Sequence, residues 1–363
     1  MTLQALQRFC LTSLLVVSCA CSQTPPAATS KAPVAPVGLP PATGPRLYVS
    51  DETGGKVIVI DVATNQIVGK VEVGKRPRGL RLSRDGALLF VALSGSPIAG
   101  PGVDESKLPP ADRSADGIGV IDLKTGQLLR KLKAGQDPES FDISPDGKTL
   151  YASNEETSEL AIVNVDTGEV TSHVKVGEEP EGVTVRPDGR EVYVTCESNG
   201  EVFAVDTATG KVAGKFIVGA RPRAVVFTAD GKTAFVTNEN TGTLSVLNTA
   251  THTVSATVKI AKLASMPTAP RPMGATMSPD GAQLFTSLGR AKAIAVIDAA
   301  TKKPLRTIEN VGDRPWGIAI SPDGRTLYTS NGPSADISII DIATGTVTRI
   351  ATGGSPWGMV FAK

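Results

Sequence analysis

The sequence predicts an all-β fold, a seven-bladed β-propeller whose blades are four-stranded antiparallel sheets. Prolines recur along the chain at spacings of 61, 42, 42, 50, 43 and 41 residues, and Asp-Gly turns recur in phase with them. A period near 42 residues, with four short apolar runs in each unit, is typical of a propeller blade. The column of prolines is Pro77, Pro138, Pro180, Pro222, Pro272, Pro315 and Pro356, and the turns end at Gly86, Gly147, Gly189, Gly231, Gly281 and Gly324.

Residues 181–219 contain one complete unit and indicate how a blade is built. The segment GVTVRP predicts a first strand, which the Asp188-Gly189 turn joins to a second strand, EVYVTC. The third strand, EVFAVD, is followed by the Thr209-Gly210 turn and a fourth strand, KVAGKFIVG. Apolar runs separated by tight turns of this composition predict an antiparallel meander.

The two ends of the domain predict how the ring closes. The propeller, residues 46–363, begins at Arg46 with a second strand (RLYVS) and ends with a lone first strand at residues 357–361. We expect this C-terminal strand to join the N-terminal blade. Such closure leaves neither terminal strand with an unpaired edge.

The residues before the propeller predict export. Residues 1–18 contain Arg8 and then an apolar run that is too short to span a bilayer, which is typical of a signal peptide. The segment Val16-Val17-Ser18-Cys19 resembles the lipobox of bacterial lipoproteins. The resemblance implies lipid on Cys19 and a location in the cell envelope, on the periplasmic face or the outer membrane. The alternative is a soluble exported protein. Residues 19–45 are proline-rich and predict an extended tether.

Composition and motifs exclude several functions. The net charge of +1 and the lack of a basic run interleaved with aromatics argue against a nucleic-acid partner, so the membrane is expected to be reached only through the lipid anchor. The chain has only two histidines, His173 and His252, neither beside other metal-ligand residue types at useful spacing. No metal site, cofactor motif or catalytic constellation is therefore predicted. The lone thiol of the domain, Cys196, is expected to be structural.

The residues that follow the column prolines form the candidate site. They enter the innermost strands at the mouth of the central channel, and half of them are charged and half apolar. Both tryptophans of the chain stand in this column in adjacent blades, where they suit a planar ligand or a protein partner. The alternative is that they fill the channel as core. This mouth column comprises Arg78, Glu139, Glu181, Arg223, Met273, Trp316 and Trp357.

The residues that precede the prolines supply four rim arginines. Beside a stacking surface, they would suit a small anionic ligand held by bidentate contacts. The charged column residues also have a structural interpretation, because Arg78 is a ring neighbour of Glu139. Glu181 and Arg223 are neighbours in the same way, and both pairs could tie blades together. The rim arginines are Arg76, Arg221, Arg271 and Arg314.

Two insertions depart from the repeat, at residues 95–116 and 261–271. The first lies between the second and third strands of its blade, and the second lies between blades. Both positions fall on the face that carries the mouth. Function commonly resides on variable loops held by a rigid scaffold, whereas neutral drift in surface loops is the alternative.

Four second strands share a motif, Tyr-Val-Ser-Asp at 48–51, Tyr-Ala-Ser-Asn at 151–154, Phe-Val-Thr-Asn at 235–238 and Tyr-Thr-Ser-Asn at 328–331. On these residues the chain from Arg46 to Lys363 resembles the YVTN family of β-propeller repeats. The segments RPRG (76–79), DPES (137–140), EPEG (179–182) and RPRA (221–224) are similar to a subgroup of periplasmic propellers associated with PQQ-dependent alcohol catabolism. The wider superfamily includes seven-bladed lactonases and the propeller domains of nitrous oxide reductase and haem d1 proteins.

These observations favour an exported, membrane-tethered binding module that is not an enzyme. Its mouth is expected to take a protein partner or a small anionic or planar ligand, and the resemblance implies an accessory role near periplasmic quinoprotein oxidation. The alternative is a propeller enzyme or a cofactor-presenting protein. It would be a lactonase-like hydrolase with Glu139 or Glu181 as general base, or a quinone-binding accessory.

Overall fold

The structure is a computed structural model that describes residues 39–40, 44–98, 104 and 107–362. Across these ranges, 28 strands form seven antiparallel sheets of four strands each. The seven-bladed propeller predicted from the sequence is therefore confirmed. The predicted signal peptide, Cys19 and most of the tether lie outside the described residues. Within the described ranges, no helix has the length and apolar character needed to cross a membrane.

The strands follow one another around the ring in chain order. Blade 1 contains β1 (Arg46–Asp51), β2 (Lys56–Asp61) and β3 (Gln66–Glu72). Blade 2 contains β4 (Leu80–Leu82), β5 (Leu88–Leu93), β6 (Gly117–Asp122) and β7 (Gln127–Leu132). Blade 3 contains β8 (Phe141–Ile143), β9 (Thr149–Asn154), β10 (Glu159–Asn164) and β11 (Val170–Lys175). Blade 4 contains β12 (Pro180–Val185), β13 (Glu191–Cys196), β14 (Glu201–Asp206) and β15 (Lys211–Ile217).

The remaining blades repeat this order. Blade 5 contains β16 (Pro222–Phe227), β17 (Thr233–Asn238), β18 (Thr243–Asn248) and β19 (Thr253–Lys259). Blade 6 contains β20 (Ala275–Met277), β21 (Gln283–Ser287), β22 (Ile294–Asp298) and β23 (Lys303–Ile308). Blade 7 contains β24 (Pro315–Ile320), β25 (Thr326–Asn331), β26 (Asp336–Asp341) and β27 (Val347–Ala351), and the last strand is β28 (Pro356–Ala362). Short 3-10 turns cover Glu155–Thr157 and Gly289–Ala291.

The last strand closes the ring in the first blade. The order in that sheet is β28-β1-β2-β3, and the register places Arg46 opposite Ala362 and Leu47 opposite Phe361. The first and last strands of the propeller are therefore paired with each other. This confirms the closure predicted from the lone first strand.

The third strands are apolar on both faces because each blade packs between two others. In β2, Val57 and Val59 pack towards blade 2, in a cluster with Leu80. Ile58 and Ile60 point the other way, into a cluster with residues of blade 7. Each such side chain is fully buried. Burial of an aliphatic side chain stabilises the fold by about 1.5–3 kcal/mol, so the blades are held mainly by these layers.

The Asp-Gly turns are structural and lie on the face away from the mouth. In blade 3, Ser144 Oγ donates to the Asp146 carboxylate at 2.5 Å, and the Lys148 N–H donates to the same oxygen at 3.0 Å. Gly147 completes the turn with a φ of 78°, which favours glycine. The hydroxyl and amide hydrogen bonds lower the pKa of Asp146. The same arrangement recurs at Asp230, Asp280 and Asp323.

Hydroxyl groups at the ends of second strands join neighbouring blades. Ser50 Oγ donates to the Arg78 carbonyl at 2.6 Å, and Thr237 Oγ1 donates to the Met273 carbonyl at 2.6 Å. Thr195, Ser287 and Ser330 bond the column residue of the next blade in the same way. The Ser or Thr of the repeated motif therefore fixes the backbone of the mouth column.

The described N-terminal residues pack on the outside of the first two blades. The Leu39 side chain lies over Gly69 of β3 and over Gly126, in the turn between β6 and β7. A Cβ atom at those glycines would come within 2.5 and 3.0 Å of it. The Arg46 guanidinium donates to the Pro40 carbonyl. The chain thus meets the propeller at the groove between blades 1 and 2.

Candidate functional site

A β-bulge at the start of the innermost strands turns the mouth column towards the channel. In blade 4, Pro180 pairs with Cys196 and Val183 with Val194, so β12 uses one more residue than β13. The same shift follows Pro222 in β16 and Pro315 in β24. Bulges commonly re-aim a side chain beside a functional site. Here each one displaces the residue that follows the proline.

The residue after each column position must be small because the next blade approaches closely. A Cβ on Gly182 would lie 2.0 Å from the Arg223 carbonyl oxygen, and one on Gly317 would lie 2.5 Å from that of Trp357. A Cβ on Gly358 would likewise lie 2.5 Å from the Arg78 carbonyl oxygen. The small residue lets the backbone of one column residue lie directly against the next blade.

The residues before the prolines adopt a backbone conformation that is unusual for them. Five of them have φ between 48° and 58°, in the left-handed region that is disfavoured for residues with a side chain and again before proline. Such strain costs about 1–3 kcal/mol per residue and is characteristic of functional positions. The five are Arg76, Asp137, Glu179, Arg221 and Arg314.

The mouth opens into a cavity of about 740 Å³. Its lining includes Arg78, Glu139, Arg223, Trp316 and Trp357 of the mouth column, together with part of the 95–116 insertion. Glu181 instead lines the smaller cavity below. Arg113 of that insertion is paired with Glu156 of blade 3 at 2.8 Å. The insertion therefore forms one wall of the cavity. The 261–271 insertion does not contribute described residues to the lining.

The charged column residues are buried in ion pairs. Arg78 lies 3.0 Å from Glu139 and also pairs with Asp137, and it is 2% exposed. Arg223 pairs with Glu181, as well as with two carboxylates of neighbouring loops. Both expected neighbour pairs therefore form. An arginine already engages Glu139 and Glu181, so neither carboxylate is free to act as a general base.

Three of the four rim arginines are also paired. Arg76 lies 2.9 Å from Glu52, and Arg221 lies 2.6 Å from Glu197. Arg271 lies 3.4 Å from a Glu239 oxygen and does not line the cavity. Arg314 differs from these. Its side chain makes no hydrogen bond or ion pair with the part of the chain that the structure describes.

The two tryptophans form an aromatic surface beside Arg314. Their ring centroids are 5.4 Å apart with an angle of 36° between the planes. The guanidinium carbons of Arg223 and Arg314 lie 4.8 and 4.9 Å from the Trp316 ring centroid, within the range of cation–π contacts. Both indoles are half-buried and line the cavity, so they are accessible from the mouth. Met273 is instead buried and faces the narrower channel below.

Glu155 is the residue of the mouth that sequence reasoning missed. It opens the 3-10 turn that follows β9, is half-buried and lines the cavity. Among the described residues its carboxylate has no hydrogen-bond or ion-pair partner. Burial raises the pKa of Glu155 to about 7, and the charge of Glu139 adds to this effect while that of Arg78 opposes it. A carboxyl group with this pKa gains and loses a proton near neutral pH, as a general acid or base requires.

A sequence signal for Glu155 exists. Four second strands are followed directly by a glutamate, and the repeated motif brings all four to the mouth. Three of these carboxylates are neutralised by arginine: Glu52, Glu197 and Glu239. Only contacts between blades distinguish Glu155 from the others. The four glutamates could be identified from the sequence, but the sequence could not show which of them lacks an ion-pair partner.

Other titratable groups do not join the mouth. His173 contacts Glu159 at 3.3 Å, and His252 contacts Glu191 at 2.9 Å. Cys196 is fully buried, and burial raises the pKa of its thiol to about 12, so it is unreactive. Within the described ranges, no three His, Cys, Asp or Glu side chains are grouped to hold a metal ion.

Two family models each match just under half of the chain. Residues 187–359 match the family described as "Lactonase, 7-bladed beta-propeller", and residues 45–214 match the "Choice-of-anchor I domain". A curated relative, Antigen Lp49 of Leptospira interrogans, is 28% identical over 109 residues. That match covers 30% of this chain and 23% of the relative.

Several solved structures share the fold at low sequence identity. A periplasmic gluconolactonase from Pseudomonas aeruginosa has a TM-score of 0.70 at 20% identity, covering 88% of this chain and 99% of that one. A Bacteroides fragilis protein provisionally assigned as a 6-phosphogluconolactonase has a TM-score of 0.69 at 19% identity, covering 89% and 100%. Hydrazine synthase from Kuenenia stuttgartiensis has a TM-score of 0.67 at 21% identity, covering 85% and 93%.

Proposed function

We propose that the protein is a hydrolase of cyclic esters that binds its substrate in the mouth, with Glu155 as the general base. The observation that carries the proposal is the unpaired Glu155 carboxyl group, whose pKa is raised to about 7 inside the cavity. The match of residues 187–359 to a lactonase family model supports the choice of substrate class. Two proteins of similar fold that are named for lactone hydrolysis support it as well.

The proposed reaction uses one proton transfer in each direction. The Glu155 carboxylate accepts a proton from a water molecule, and the water oxygen forms a bond to the lactone carbonyl carbon. The ring carbon–oxygen bond then breaks, and the Glu155 carboxylic acid returns the proton to the leaving oxygen. The product is a hydroxy acid. A positioned base of matched pKa accelerates such a step by about 10²- to 10⁴-fold.

Glu155→Gln tests the proposal. Against a panel of five- and six-membered lactones, we expect wild-type kcat/KM to rise with pH through about 7. The Gln variant should lose about 10²-fold or more and also lose this pH dependence. Glu156→Gln is the matched control, because Glu156 is exposed and paired with Arg113. Full activity in Glu155→Gln, or no hydrolysis of any lactone by the wild type, would contradict the proposal.

The second candidate is a binding module without catalysis. It is favoured by the half-buried tryptophan pair and by the ion pairs that already engage most charges of the mouth. Saturable quenching of tryptophan fluorescence by a lactone that is not turned over would support it. The hypothesis of a quinone-binding accessory rests on the proline-flanking segments alone. The family models and similar structures do not support the PQQ-associated subgroup. A purified protein without a visible chromophore would argue against that hypothesis.

We also propose that the protein is exported and lipid-anchored. The proposal rests on residues 1–18 and on the lipobox-like segment ending at Cys19. It would place the mouth in the cell envelope, in contact with molecules outside the cytoplasm. The Cys19 substitution described in the Discussion is its test.

A further inference from the structure

Two charged side chains of the mouth, on opposite sides of the ring, have neither an ion pair nor a hydrogen bond among the described residues. Glu155 belongs to blade 3 and Arg314 precedes the first strand of blade 7. In a ring of seven, these blades lie across the channel axis from each other. Among the described lining residues, every other charged side chain is held in an ion pair or hydrogen bond. A ligand that satisfies both groups must span the mouth.

Arg314 forms no ion pair with a described carboxylate, although the charge of Glu239 acts on it from a distance. Burial lowers the pKa of Arg314, with further contributions from Arg223 and Arg290, and Glu239 only partly opposes this. The guanidinium nevertheless stays protonated, because the pKa of arginine is so high. Its planar fork matches a carboxylate bidentately. The nearest rings, Trp316 and Trp357, offer a flat apolar surface next to that fork.

The same cavity is poorly suited to a phosphate group. Six arginines and seven carboxylates line its described part, and all the arginines but Arg314 already have carboxylate partners. Phosphate sites usually combine several cations or a cradle of backbone N–H groups. The helical segments that the structure describes near the mouth are three-residue 3-10 turns. A dianion would therefore keep one uncompensated charge among carboxylates, which is unfavourable.

We propose that the substrate is a lactone that carries one carboxylate, bound by Arg314, next to an apolar or planar portion that lies on Trp316 and Trp357. This inference rests on the proposed hydrolase function and deepens it. The ester then lies towards Glu155, on the other side of the mouth. Phosphorylated lactones are excluded as good substrates.

The tryptophans give a binding readout that does not depend on hydrolysis. The chain has two tryptophans, both in the mouth, so intrinsic fluorescence reports occupancy of this cavity directly. The probes are cyclohexanecarboxylate, its neutral analogue cyclohexanecarboxamide, and cyclohexyl phosphate. We expect the carboxylate to bind about tenfold more tightly than either of the others. Binding of the phosphate as tightly as the carboxylate would overturn the proposal.

Arg314→Gln identifies the group responsible. It should abolish the preference for carboxylate over carboxamide. Arg314→Lys should retain part of this preference, because lysine carries the positive charge but lacks the planar guanidinium. Arg290→Gln is the control, since Arg290 is exposed, lies near Arg314 and does not line the cavity. An unchanged preference in Arg314→Gln would overturn the proposal.

Kinetics separate this inference from the proposed function. With lactones that differ only in a terminal carboxylate or carboxamide, Arg314→Gln should raise KM for the carboxylate about tenfold and leave kcat similar. An Arg314-dependent binding preference without any hydrolysis would support the carboxylate site and refute the hydrolase. Glu155-dependent hydrolysis that ignores the substrate carboxylate would support the hydrolase and refute the carboxylate site.

Discussion

Replacing Glu155 by glutamine should stabilise the protein in mildly alkaline solution. Ionised Glu155 lies partly buried beside the carboxylates of Glu139, Asp137 and Glu179, without an ion pair of its own among the described residues. Glutamine has nearly the same shape and carries no charge at any pH. The variant therefore removes an unfavourable charge and keeps the packing. Loss of activity together with a gain in stability is the behaviour expected of a residue kept for function.

The size of the effect follows from the pKa. The pKa of Glu155 rises from an ordinary 4.5 to about 7, so the folded state holds this proton more tightly than the unfolded chain does. Its contribution to stability is greatest below 4.5 and is lost as the pH rises to about 7. The rise corresponds to at most about 3 kcal/mol. Partial exposure of the side chain reduces the expected value to about 1–2 kcal/mol.

Denaturant or thermal unfolding at two pH values measures this difference in the free energy of unfolding. At about pH 8, Glu155→Gln should be about 1–2 kcal/mol more stable than the wild type, and at about pH 4 the two should be nearly equal. Glu156→Gln should show no such gain, because it removes one partner of an exposed ion pair. A gain of equal size at both pH values, or no gain at the higher one, would refute the reasoning.

Two further predictions concern the fold and the location. Deleting residues 356–363 removes β28 and exposes the edge of β1, so cooperative unfolding should be lost; a single sharp transition near the wild-type temperature would contradict the closure argument. Cys19→Ala should release the protein from membranes of a Gram-negative host, since lipid on that sulfur would be the strong anchor. Continued membrane fractionation of this variant in high salt would show that another anchor exists.

The fold was predictable because its information is local and repeated. Six blades carry an Asp-Gly turn and all seven carry an apolar third strand, so the repeated copies reinforce one pattern. The closure also followed from local facts, namely a domain that begins with a second strand and ends with a first. The repeat pattern could not predict which charged side chains pair across blades.

The site was predictable only in outline for that reason. The proline-flanking columns brought Arg78, Arg223, Arg314 and both tryptophans to one cavity. The expected bases, Glu139 and Glu181, were equally visible in the sequence, yet both are engaged by arginine. Whether a carboxylate is paired depends on which loops meet in space. Glu155 differs from Glu239 in its neighbours and not in its motif position.

Leu39 and the mouth of the cavity lie on opposite faces of the propeller. β1 starts at Arg46 and, at about 3.4 Å per residue, reaches the mouth about 17 Å further on, next to Glu52. Leu39 packs beside Gly126, in a turn on the face opposite the mouth. Residues 39–40 do not line the cavity, so the described N-terminal residues leave its opening uncovered, and a solute can enter the mouth without displacing them.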